Sequence, residues 1–169
     1  MGQKALLFDI GGIDFSARRY SRADIERQNP HRGHMSLLDY IVWHDEGYRH
    51  AVALKEVRGD EFWVAGHFPG KPMFPGVLMV EAGAQLACFC FNSRRDAPSL
   101  AAFMRIENAS FRASVAPGDT LHVLLKEIKS GQRRFTCDIQ GIVNLERVAF
   151  EAKIVGMALD DSSAGSEEG

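Results

Sequence analysis

The most extended apolar segment of the chain runs from residue 76 to residue 91 and predicts one buried helix. Its apolar side chains would fall on nearly every side of a helix, so we expect other elements to cover this helix all round. Gly83 lies inside the segment, where glycine costs ~1 kcal/mol relative to alanine, which suggests that another backbone approaches closely there. Polar residues from Asn92 onward end the helix.

Shorter segments with the alternation and turn boundaries of β-strands lie on both sides of the predicted helix. Before the helix, strands are predicted over residues 39–44 and 50–57, and a Gly59-Asp60 turn leads into the short apolar run 62–64. After the helix, the predicted strands cover residues 101–106 with 110–112, 120–128, 135–143 and 148–159. The pattern predicts an α+β fold in which a curved antiparallel sheet wraps a central helix.

The two ends of the chain differ from this central part. Residues 1–20 mix apolar residues with glycines and are predicted to form an extended N-terminal arm that packs on the surface or on a neighbouring subunit. Ser21 and Asp24 have the spacing of a capping box, which predicts a short helix to about Gln28. Residues 160–169 (DDSSAGSEEG) contain no large apolar residue, so we expect a disordered acidic tail. The folded domain is therefore expected to span residues 21–159.

The composition is that of an ordinary globular domain. Of the 169 residues, 46% are hydrophobic and 25% are charged, and the net charge of −2 gives no reason to expect a nucleic-acid partner. The three cysteines are odd in number and two lie in the predicted helix, so a reducing compartment is expected. We recognise no signal peptide, and the apolar segment is too short to span a membrane. These features predict a cytoplasmic protein.

Glu81 is the only charged residue between Lys71 and Arg94. Burying an unpaired carboxylate is costly, so such a group usually keeps its proton, which suits a general acid. His67 lies fourteen residues upstream, on a loop stiffened by three prolines. An imidazole suits a general base near neutral pH. We therefore hypothesise that His67 and Glu81 form an acid/base pair.

A longer motif surrounds these two residues. It consists of GHFPG at residues 66–70, Pro72, PGVLM at residues 75–79, Glu81-Ala82 and Ala84-Gln85, and two weaker blocks are PHR at residues 30–32 and the segments 111–112 and 117–121. Over about residues 22–158 the sequence closely resembles the (3R)-hydroxyacyl-acyl carrier protein dehydratases of the FabZ type. The resemblance implies the hotdog fold, in which an antiparallel sheet wraps a long central helix. It also implies a hydro-lyase that converts 3-hydroxyacyl thioesters to trans-2-enoyl thioesters in fatty-acid-type biosynthesis.

The resemblance assigns roles within this motif. His67 would take the α-proton, Glu81 would protonate the departing hydroxyl group, and the backbone amide of Gly76 would hold the thioester oxygen. Gln85 lies one helical turn after Glu81 and is expected to orient its carboxyl group. The resemblance further predicts substrate contacts at Phe68, Phe74 and Val77.

No metal or organic cofactor is expected. His31 and His34 are close in sequence, but no further metal ligands accompany them. The family resemblance implies a homodimer in which His67 of one subunit faces Glu81 of the other, and trimers of such dimers are common in the family. The expected substrate is carried by acyl carrier protein.

Two alternatives stay open. The first is an acyl thioesterase on the same fold, against which the HFPG loop at residues 67–70 argues. The second is a non-catalytic acyl-binding or assembly module. The acyl chain length and the physiological pathway are not determined by the sequence.

Overall fold

The computed structural model describes residues 5–159, so the predicted tail at residues 160–169 lies outside the described residues. The helices are α1 (Arg22–Gln28) and α2 (Gly76–Asn92), with a short 3-10 helix at Gly33–Met35. The strands are β1 (Tyr20–Ser21), β2 (Tyr40–His44), β3 (His50–Glu56), β4 (Ala101–Phe111), β5 (Thr120–Ser130), β6 (Arg134–Val143) and β7 (Arg147–Ala158). The predicted strands and helices therefore form within a few residues of their expected bounds.

The seven strands form one antiparallel sheet in the order β1-β2-β3-β5-β6-β7-β4. The meander predicted after the helix is present as β5, β6 and β7. Strand β4 pairs with β7 at the edge of the sheet and is continuous over the two segments that the sequence pattern separates. The pairing of β4 with β7 shifts register between Glu107 and Ser110, and this irregularity explains why the sequence pattern shows two separate segments there.

Helix α2 packs against one face of the sheet, and most of its residues from Met79 to Asn92 are buried. Gly83 allows this packing because a Cβ atom there would lie 2.4 Å from Ile139 Cδ1. The expected close approach at Gly83 is therefore present, but the neighbour is a side chain of β6 and not another backbone.

The N-terminal arm packs on the opposite, outer face of the sheet. Strand residues that point away from α2, including Val52 and Leu124, form a second apolar cluster with arm residues such as Phe8 and Phe15. The buried side chain of Gln140 also bonds to the arm, since its Oε1 accepts from the Leu7 amide and its Nε2 donates to the Ala5 carbonyl. Of the two placements expected for the arm, the structure therefore has it on its own subunit.

Helix α1 begins with the predicted capping box, in which Ser21 and Asp24 exchange hydrogen bonds. The residue after the helix, Asn29, is its C-cap, and the buried side-chain amide of Asn29 donates to the Gln85 carbonyl of α2 at 2.8 Å. This bond fixes the start of the segment that leads to β2 against the central helix.

The loop between β3 and α2 contains no strand. The apolar run at residues 62–64 lies in turns, with Trp63 buried and Phe62 exposed. Within residues 5–159, no helix is long and apolar enough to cross a membrane.

Candidate active site

Backbone hydrogen bonds hold the loop that carries His67. The His67 amide donates to the Trp63 carbonyl at 2.8 Å, and the Met73 amide donates to the His67 carbonyl at 2.7 Å. These bonds close the loop on itself just before α2 begins. His67 is therefore held close to the helix N-terminus by backbone hydrogen bonds within residues 63–73.

The His67 ring has a defined orientation. Its Nδ1 lies 2.7 Å from the Met73 carbonyl oxygen, which can only accept a hydrogen bond, so Nδ1 carries the hydrogen. The Nε2 atom of the neutral ring then has a free lone pair, as a general base requires. The half-exposed ring of Phe68 stacks on the imidazole at a centroid distance of 4.1 Å.

A buried ion pair connects the loop to strand β3. Lys55 Nζ of β3 lies 2.8 Å from Glu61 Oε1, and both side chains are buried. The other oxygen of Glu61 accepts from Trp63 Nε1 at 3.2 Å. Because the Trp63 carbonyl accepts from the His67 amide, the ion pair is connected to the candidate base through one residue.

The N-terminus of α2 opens onto a cavity of about 510 Å³ that His67 also lines. Pro75 caps the helix without a side-chain hydrogen bond, and among the described residues neither the Gly76 amide nor the Val77 amide donates to a protein acceptor. Such free amides at a helix N-terminus attract an oxygen that carries negative charge. The Phe111 ring forms another wall, and a Cβ atom at Gly76 would lie 2.7 Å from it.

Glu81 lies one turn further along α2, with two nitrogen atoms close to the same carboxyl oxygen. Gln85 Nε2 donates to Glu81 Oε1 at 2.8 Å, which is the contact expected from the helical spacing. His31 Nε2 lies 3.3 Å from that oxygen. His31 and Glu81 line a second, smaller cavity of about 40 Å³ together with Cys88. Burial, followed by the negative charge of Glu81, raises the pKa of the Cys88 thiol to about 12, so this thiol is neutral.

Gln85 is itself firmly held. Its Oε1 accepts from the Leu37 amide at 3.0 Å, and its Nε2 donates to the Met35 carbonyl at 2.7 Å as well as to Glu81. Because the side chain is buried and has all these partners, it has one orientation, and it presents a donor to Glu81.

Within one chain, the structure brings together only some of the predicted site residues. His67, Gly76, Val77 and Phe74 line one cavity, whereas Glu81 lines the other. Val77 is exposed, but Phe74 is almost wholly buried against Trp63 and belongs largely to the core.

The sequence analysis gave no catalytic or substrate-binding role to His31 or Phe111, although both line these cavities. His31 was considered only as a metal ligand with His34, whereas the structure places it beside Glu81. The PHR block was the available signal for this residue, but a contact across 50 positions has no local pattern. Phe111 was part of a matched block, and its position at the wall of the His67 cavity depends on the return of β4 past α2.

Fold and site together define the class of protein. A helix wrapped by an antiparallel sheet, with a histidine loop before the helix and a carboxylate on it, is a hotdog-fold arrangement. The chain belongs to the FabA-like family, because the family model of the FabA-like domain matches residues 29–153.

Named relatives agree with this assignment, and a solved structure shares the fold. The chain is 42% identical over 137 residues to the 3-hydroxyacyl-[acyl-carrier-protein] dehydratase FabZ of Bartonella henselae, covering 78% of this chain and 84% of that protein. It is 36% identical over 140 residues to the enzyme of the same name from Agrobacterium fabrum, covering 81% and 82%. A chain of the dehydratase heterocomplex ApeI:P from Xenorhabdus doucetiae shares the fold, with a TM-score of 0.71 at 14% identity over 82% of this chain and 92% of that chain.

Proposed function

We propose that the protein is a hydro-lyase that removes water from 3-hydroxyacyl thioesters carried on acyl carrier protein and gives trans-2-enoyl thioesters for fatty acid biosynthesis. The observation that carries this proposal is the hydrogen bond from His67 Nδ1 to the Met73 carbonyl, at the mouth of a cavity that the N-terminus of α2 also lines. The names of its relatives supply the substrate class.

The first chemical step is removal of an α-proton, for which Nε2 of His67 is the base. The proton leaves as negative charge develops on the thioester oxygen. In the proposed complex this oxygen accepts from the free Gly76 amide, aided by the dipole of α2. Absence of a side chain at Gly76 keeps that amide accessible beside the Phe111 ring.

The second step is departure of the β-hydroxyl group, which needs a proton to leave as water. Glu81 is the proposed acid, and its carboxyl group is held by Gln85. His67 gains one proton and Glu81 loses one proton while the substrate loses H and OH as water, so one proton must pass from His67 back to Glu81 through solvent to restore both residues.

The active site is proposed to form between two subunits. In one chain His67 and Glu81 line different cavities, which favours pairing of His67 from one chain with Glu81 from the next. Edge strand β4 offers a surface for this contact, since Phe103, Met104 and Ile106 are between 40% and 51% exposed. Exposed apolar patches of this kind are typical of protein interfaces.

The test is hydration of a crotonyl thioester, followed through loss of enoyl absorbance. We expect the wild type to be active, and His67→Ala and Glu81→Gln each to lower kcat about 10²- to 10⁴-fold. His34→Ala serves as a matched control, because His34 is exposed and contacts only the Phe62 ring among the aromatic neighbours. An inert wild type, or full activity in either site variant, would contradict the proposal. Thiol release without any enoyl change would instead indicate a thioesterase, and ligand binding without either reaction would indicate an acyl-binding module.

Shared sites are tested by mixing the two inactive variants under conditions of subunit exchange. A heterodimer of His67→Ala and Glu81→Gln subunits would contain one intact site. Random exchange should therefore restore about one quarter of the wild-type activity. No recovery, after mass spectrometry has verified exchange, would place each site within one chain.

A further inference from the structure

His31 is the one residue at the Glu81 carboxyl group that the proposed reaction does not use. Its Nε2 lies 3.3 Å from Glu81 Oε1, slightly beyond the usual range of an N–H···O hydrogen bond. Catalytic hydrogen bonds are often long in the resting enzyme and shorten when substrate binds. The contact is not an aligned N–H···O hydrogen bond in this structure, so donation to Glu81 requires the ring to turn when substrate binds.

The backbone around His31 is anchored to the helix that carries Glu81. Asn29 donates from its side chain to the Gln85 carbonyl at 2.8 Å. The Arg32 guanidinium donates to the carbonyls of Asn29 and His31 at 2.6 and 2.7 Å. His31 therefore approaches Glu81 from a fixed segment and not from a free loop.

The tautomer of His31 follows from its surroundings. Its Nδ1 is buried and has no hydrogen-bond partner among the described residues. An unmatched lone pair is more readily accommodated in a protein interior than an unmatched N–H group. Neutral His31 therefore carries its hydrogen on Nε2, the ring atom that lies 3.3 Å from Glu81 Oε1.

The groups that face His31 across the small cavity are few. From α2 they are the Glu81 carboxyl group, Ala84 and the neutral Cys88 thiol. The residues of β4, β6 and β7 that line the cavity are all uncharged: Ala101, Ala102, Phe103, Phe135, Ile154 and Gly156. Arg32, the adjacent cation, is directed to backbone carbonyls.

We propose that His31 is a positioning residue for the acid: its Nε2–H group and the Gln85 amide both donate to Glu81 Oε1, which leaves Oε2 as the oxygen that carries the transferable proton. A carboxyl oxygen has two lone pairs and can accept both bonds. The negative charge left when Glu81 gives up its proton is then shared with two donors, which favours the transfer. This inference rests on the proposed dehydratase function.

The experiment compares His31→Ala, His31→Gln and His31→Asn with His34→Ala as the control. The Nε2 of glutamine reproduces the position of the histidine Nε2, whereas the asparagine amide reproduces that of Nδ1. We expect His31→Ala and His31→Asn to lower kcat about 10- to 100-fold with little change in KM, and to alter the pH profile of kcat. His31→Gln should recover most of kcat. Circular dichroism and subunit mass verify that each variant folds and assembles.

A second measurement does not depend on activity. The protein is labelled with ¹³C at the glutamate side-chain carboxyl carbons, and the Glu81 resonance is identified by its loss in Glu81→Gln. The pH midpoint of this resonance should move upward in His31→Ala, because a donor to the carboxylate has been removed, and should return in His31→Gln. An unchanged midpoint, or equal activity in the Asn and Gln variants, would overturn the role of His31. If the wild type is inactive while the midpoint moves as expected, the dehydratase proposal fails and the contact between His31 and Glu81 stands.

Discussion

The ammonium group of Lys55 lies 2.8 Å from the carboxylate of Glu61, a residue of the loop that carries His67, and both side chains are buried. Glu61 also accepts from the Arg58 amide and from the Trp63 indole, so its carboxylate connects Lys55 of β3 to two further points of this loop. Because the pair is buried, removal of one partner leaves a charge without compensation.

Lys55→Met should therefore lower the free energy of unfolding by about 3–5 kcal/mol, measured by urea denaturation. Addition of Glu61→Gln should recover part of this loss, since no charge is then left buried. Removal of the exposed pair Arg105–Glu107 by alanine substitution is the control and should cost less than about 1 kcal/mol. If Lys55→Met lowers the free energy of unfolding no more than removal of the exposed pair does, the Lys55–Glu61 contact does not stabilise the loop.

Glycine is predicted to be the most stable residue at position 83, because the Ile139 side chain leaves no room for a Cβ atom there. A Cβ atom at Gly83 would lie 2.4 Å from Ile139 Cδ1, so overpacking should outweigh the ~1 kcal/mol gain in helix propensity and Gly83→Ala should destabilise the fold by about 1–2 kcal/mol. Ile139→Val removes the Cδ1 atom and alone should cost about 0.5–1.5 kcal/mol. Urea denaturation of the double variant should show less destabilisation than the sum of the single variants. If the destabilisation of the double variant equals the sum of the two single variants, contact with Ile139 is not the reason why alanine is unfavourable at position 83.

His122 should make the fold sensitive to acid. Its side chain is buried beneath the Phe15 ring of the arm, and burial, with a smaller contribution from the Arg18 charge, lowers its pKa to about 4. The unfolded chain binds a proton near the ordinary value of 6.5, while the folded chain resists protonation until about pH 4. The stability from neutral His122 is therefore present above pH 6.5 and is lost as the pH falls from 6.5 to about 4.

The measurement is the urea midpoint at about pH 7.5 and about pH 5, in the wild type and in His122→Leu. The decrease on acidification should be smaller in the variant, because leucine cannot take up a proton. An identical decrease in both proteins would assign the acid sensitivity to other groups.

The three cysteines should be unreactive in the folded protein. All three are buried and free, and burial raises the pKa of both Cys88 and Cys137 to about 12, while that of Cys90 is raised in the same direction. Since the thiolate is the reactive form, an aromatic disulfide reagent at about pH 8 should label them only after denaturation, when three thiols should react. Rapid labelling of the native protein would contradict this burial.

The raised pKa values of these thiols also affect stability at alkaline pH. Because the unfolded chain loses the thiol protons at a lower pH than the folded chain, the free energy of unfolding should fall as the pH rises above about 9.

Much of the local structure could be predicted because its causes lie within a few residues. The Ser21-Asp24 capping box, the apolar segment of α2 and the turns between β5, β6 and β7 all form as expected. The short run at residues 62–64 shows the limit of such patterns. Its apolar residues resemble those of the strands around it, but Trp63 is buried by Phe74 and the loop contacts and not by pairing with another strand.

The sequence by itself determined the central helix, the histidine loop before it and the carboxylate within it, since the spacing of apolar, proline and charged residues specifies these features locally. Only the tertiary structure decided that the arm covers the outer face of the sheet, that β4 lies at the edge, and that His31 lies beside Glu81. These contacts join residues far apart in the chain. They depend on strand order and on packing around α2, which no periodicity along the chain records.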